Sequence, residues 1–99
     1  MASKIIYGLI ESNGEKLEGS GFQSSRVGSG IYTIDFTEDF SDIPSVQVIP
    51  VGQNDNNWYI RNPFIKTPSS GQCIVYFYNT SSPPALSDSQ FSFMAVGEE

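Results

Sequence analysis

Histidine is absent from this sequence, cysteine occurs once, and only five basic residues stand against eleven acidic ones. Each shortage removes a class of chemistry. Without histidine there is no imidazole base, and the usual zinc ligand sets cannot be assembled, so no structural metal is expected. Cys73 alone rules out an internal disulfide, and its place in an apolar run suits a packed, inert thiol. A formal charge of −6 with scattered Lys and Arg is the opposite of a phosphate-tracking surface, so nucleic acid is not an expected partner. No apolar run approaches the roughly 20 residues of a membrane span. Met1-Ala2-Ser3-Lys4 leads straight into Ile5-Ile6-Tyr7, without the basic region and long apolar core of a secretory leader. The expectation is a chain made in the cytoplasm, with no membrane insertion. Catalytic motifs and cofactor fingerprints are missing as well, so neither an enzyme nor a bound cofactor is expected. Pairs such as Asp35 and Glu38 are what any acidic protein offers.

What is present is alternation. At 99 residues the chain suits a single domain over 1–99, because two cores of half that size would each lack sufficient buried surface. Gly19–Phe40 reads as a β-hairpin: Tyr32, Ile34 and Phe36 share one face of a strand, Ile31, Thr33 and Asp35 the other. Between its arms, Gly28 and Gly30 supply positive φ for a tight reversal. Lys4–Glu11 is a further strand, and Asn13-Gly14 marks a two-residue turn after it. Arg26, near the hairpin turn, is expected either to pair with an acid across it or to lie free. Phe40 and Ile43 are expected to plug the core edge from a polar loop, and Pro44 sets up strand Ser45–Val51. That strand is apolar on both faces, which points to a covered outer surface.

Asn62-Pro63 and Thr67–Gly71 read as breaks. Gln72–Tyr78 alternates Cys73, Val75 and Phe77 against Ile74, Tyr76 and Tyr78, and Gln90–Gly97 closes the chain with Phe91, Phe93 and Ala95 inward. About seven short strands with Gly, Pro and Asn punctuation and no amphipathic helical window indicate an all-β, antiparallel β-sandwich.

The candidate ligand site centres on the polar loop Gly52–Asn57 and the aromatics that follow it. Trp58 and Tyr59 offer faces for the apolar side of a pyranose, while Asp55, Asn57 and Arg61 offer hydrogen bonds to its hydroxyls; Tyr78 joins them from the strand Gln72–Tyr78. The competing reading places Trp58 and Ile60 in the core, with only Tyr59 and Arg61 outward. The Asn54–Asn57 oxygens also resemble calcium ligands in type, but without the ordered carboxylates and glycine of an EF-hand loop they read as a solvated turn. Asn79-Thr80-Ser81 matches a glycosylation acceptor and, without a leader, reads as surface-loop chemistry.

Taken together, Gly19-Ser20-Gly21-Phe22, the run Arg26–Phe36 with its Gly-x-Tyr-x-Ile-x-Phe strand, Phe40 and Pro44-Ser45-Val46 resemble a pattern of phage tail-fibre tips. The later half of that pattern and the closing Phe91–Gly97 also resemble the H-type lectin domain. The resemblance implies a jelly-roll or H-type lectin-like sandwich, assembled as a homotrimer with strand faces about a threefold axis. It further implies recognition of cell-surface glycan, on a virion tail fibre or outside the cell after release. H-type lectins hold their sugars through an acidic residue, an arginine and an aromatic or His; this chain has no His, so no sugar specificity carries over. A trimerisation or capping module without ligand is the other reading.

Overall fold

In the computed structural model, which describes residues 2–52, 60–66 and 68–99, the alternating segments are strands and no helix occurs among the described residues. The strands are β1 (Ser3–Ile10), β2 (Lys16–Gly19), β3 (Phe22–Gly28), β4 (Ile31–Phe36), β5 (Ser45–Val51), β6 (Asn62–Lys66), β7 (Gln72–Tyr78) and β8 (Gln90–Glu98). They form two antiparallel four-stranded sheets, ordered β2-β1-β8-β5 and β3-β4-β7-β6, which pack as a small β-sandwich. None of the described helices is long and apolar enough to cross a membrane, there being none at all.

One apolar layer lies between the sheets. Phe22, Tyr32, Ile34 and Phe36 enter it from the β3-β4 hairpin, and Cys73, Val75 and Phe77 from β7. Ile10 of β1 and Phe91, Phe93 and Ala95 of β8 meet them from the other side. Aromatic edges bind the two layers: the rings of Phe22 and Phe93 lie 4.8 Å apart at 86°, and those of Tyr32 and Phe91 5.2 Å apart at 61°. Such edge-to-face pairs each add about 0.5–1.5 kcal/mol beyond the area they bury. The alternation read from the sequence sets Phe91, Phe93 and Ala95 inward and groups Tyr32, Ile34 and Phe36 on one face, as the core has them, because each strand has one face on a single shared core.

Four local expectations change. The β1-β2 turn is centred on Ser12 and Asn13, since the Gly14 amide donates to the Glu11 carbonyl at 2.8 Å; Gly14 follows with φ 93°. In the β3-β4 hairpin only Gly30 takes positive φ, 69°, while Gly28 lies beside a bulge at Val27 where the register shifts. Phe40 is the plug, buried against Phe36 with ring centroids 5.1 Å apart, but Ile43 is exposed because Phe40 already fills that end of the core. Asn62-Pro63 is not a break: it opens β6, an edge strand, where a proline's missing amide costs no ladder bond. Among the described residues all four sheet borders are irregular. Pro50 lies in β5, Pro63 in β6, and the ladders of β2 and β3 are each interrupted by a register shift.

Candidate functional site

On the outer side of the β3-β4-β7-β6 sheet, the register sets Asn62 opposite Tyr78 and Phe64 opposite Tyr76. Val75 and Phe77 point into the core, so period two turns Tyr76 and Tyr78 outward. Their rings stack at 6.4 Å and 29°, and the Lys66 ammonium lies 5.2 Å from the Tyr76 ring centre. Phe64 is 56% exposed, a large share for a benzyl side chain. A groove of about 440 Å³ at this end is lined by Asn62, Pro63, Phe64, Tyr78 and Pro84. That volume falls within the range of small-molecule sites.

The far wall of the groove belongs to the 79–89 loop, which is fastened from several directions. Asn79 Oδ1 accepts hydrogen bonds from the Ser81 amide and hydroxyl and from the Ala85 amide, while Asn79 Nδ2 donates to Ser87 Oγ. The Asn79-Thr80-Ser81 motif is thus a loop staple. At the other end, Asp88 Oδ1 accepts the Gly30 amide at 2.7 Å, and Arg26 Nε–H is shared between both Asp88 oxygens at 3.0 Å each. Arg26 therefore pairs with an acid brought from 62 residues away, not with one across its own turn. Burial pushes the Asp88 carboxyl upward, but the hydrogen bonds from Arg26 and the Gly30 amide outweigh it and hold the group below the ordinary carboxylate range. Arg61, just before β6, donates from Nε to the Asp88 carbonyl at 3.1 Å and from Nη1 to the Ile60 carbonyl at 3.2 Å.

Of the residues singled out from the sequence, Tyr78 lines the groove, and Arg61 is engaged with the Asp88 and Ile60 carbonyls. Asp55, Asn57, Trp58 and Tyr59 lie outside the described residues. Ile60, which one reading placed with Trp58 in the core, is exposed. The sequence reading missed Asn62, Phe64, Tyr76 and Pro84. Reading Asn62–Lys66 as a strand would have found the first three, since alternation then puts Asn62, Phe64 and Lys66 on the face of Tyr76 and Tyr78. Elsewhere, Cys73 is buried in the core and its thiol is pushed up to about 11, first by burial and then by the nearby Asp35 charge, as an inert packing group requires. Among the described residues no group of three or more His, Cys, Asp or Glu side chains is arranged to hold a metal ion.

Fold and site together define a small all-β sandwich with an aromatic-lined groove on one outer face. Comparison of the chain with protein-family models, with curated proteins and with solved structures finds no match.

Proposed function

We propose that the protein is a carbohydrate-binding, homotrimeric β-sandwich module that takes its glycan in the groove beside β6 and β7 and binds it without turning it over. The observation that carries the reading is the outward row Phe64, Tyr76 and Tyr78 with the Asn62 amide at its end. A pyranose presents an apolar C–H face and a rim of hydroxyls; aromatic rings match the first and amide or guanidinium groups the second. Asp55, Asn57, Trp58 and Tyr59 precede Arg61 in sequence and are proposed to complete the contact. Single sites of this kind bind weakly. Three on one symmetric assembly raise avidity by about 10²–10⁴-fold over a single site. In that form the module serves as the receptor-binding tip of a phage-type tail fibre or as a lectin released from the cell.

Glycan-array binding by the full chain tests this. Phe64→Ala and Tyr78→Ala should each weaken binding by about tenfold, the equivalent of roughly 1.4 kcal/mol per lost ring contact. Both variants should keep the wild-type circular dichroism, because both side chains point away from the core. No retention of any glycan, or retention that neither substitution changes, would sink the reading. The ligand-free trimerisation module remains the second reading, and it draws support from an apolar surface on the opposite side of the sandwich.

A further inference from the structure

The outer face of the β2-β1-β8-β5 sheet has an unusual make-up. Register aligns Ile5 with Val96 and Ser45, Tyr7 with Met94 and Gln47, and Leu9 with Ser92 and Ile49; Val51 and Gln90 complete the last row. None of these eleven side chains is charged. Ile5 is 56% exposed, Tyr7 65%, Ile49 64% and Met94 38%, so the apolar groups are in water and next to one another. Scattered surface apolar residues are ordinary, whereas a contiguous patch on this scale marks a contact surface.

We propose that this face is where copies of the chain meet, its apolar rows packed against those of a second copy about a symmetry axis. The inference rests on the self-association in the reading above and is independent of the glycan. Two features select another copy as the occupant. The first is charge: the chain carries −6, so most approaches between copies are repulsive, and this face keeps its acids, Glu18 beside Leu9 and Glu98 beside Ser3, at its rim and its eleven central positions uncharged. The second is area. Strands of 8, 4, 9 and 7 residues, about 4.8 Å apart with about 3.4 Å per residue, give a footprint of roughly 450 Å². Two such faces supply about 900 Å², close to the roughly 1,000 Å² at which specific interfaces begin. Sheets facing each other in this way pack about 10 Å apart, the spacing of layers in a sandwich core.

The test is the mass of the full chain in solution at micromolar concentration, by sedimentation equilibrium. Wild type should be an oligomer. Tyr7→Glu and Ile49→Glu should each bring it to the single-chain mass, while Val27→Glu, an exposed position on the other sheet, should leave the assembly unchanged. An oligomer that survives both substitutions overturns the assignment of this face and leaves self-association standing; a wild-type monomer overturns both. Should the variants misfold, hydroxyl-radical footprinting of wild type decides. Tyr7 and Met94 should be oxidised several-fold more slowly in concentrated than in dilute solution, and equal rates would overturn the proposal. Glycan retention is read separately on each species, so failure of the groove is distinguishable from failure of the interface.

Discussion

Tyr32 shows how much one side chain can organise. Its ring is fully buried between Phe77 and Phe91, while its hydroxyl donates to the Ser12 carbonyl at 2.6 Å and accepts the Ser89 amide at 3.1 Å. One phenol thereby joins the β1-β2 turn to the start of β8. Tyr32→Phe keeps the ring but leaves a buried amide and a carbonyl without their partner, so urea unfolding should show a loss of about 1–3 kcal/mol. Burial also pushes the Tyr32 phenol above its ordinary value, outweighing the Ser89 hydrogen bond that favours its ionised form. A raised folded-state value means that its contribution is intact below pH 10 and lost as pH rises past it. That Tyr32 faces inward was legible from the alternation Tyr32, Ile34, Phe36. Its partners were not, because they come from 20 and 57 residues away and no local pattern encodes such distances.

At the scale of an element, the 79–89 loop is held chiefly at Asp88, which ties it to β3 through Arg26, to the hairpin turn through the Gly30 amide and to Arg61 through its carbonyl. The Asp88 carboxyl lies below its ordinary range in the folded chain. Its contribution is therefore full above the unfolded value of 3.8 and disappears as pH falls through the lower folded value. Asp88→Asn should flatten the acid limb of the stability curve, with little change in its shape near neutrality, as thermal melts between pH 2 and pH 7 would record. Strands with an apolar core face were legible as elements, β4, β7 and β8 above all. β6 was hidden because Pro63 normally ends a strand, and only its position at a sheet border makes the proline harmless. Arg26 was misjudged for a related reason: its acid comes from another element, so sequence proximity was the wrong guide. For the site, the aromatics of β7 were visible, but their alignment with Phe64 needed the β6 register.

Across the whole molecule, both outer faces carry apolar groups: an aromatic row with a groove on one side, and on the other the rows of Ile5, Tyr7, Met94 and Ile49. The inward core accounts for the fold; the outward residues account for what the fold meets. If the apolar rows join copies, the folded state is linked to concentration, and the apparent melting temperature should rise with each tenfold increase in protein. Added salt should raise it further by screening the net charge outside the contact. A melting temperature indifferent to both would speak for a self-sufficient monomer.

The irregular sheet borders decide what kind of crowding the protein withstands. Fibrils lengthen when the backbone of an outermost strand templates that of the next molecule. Proline in β5 and β6 and the register shifts at β2 and β3 interrupt each row of amides and carbonyls that would serve as such a template. A crowded solution of this module therefore meets borders that lack the unbroken backbone rows on which cross-β growth depends.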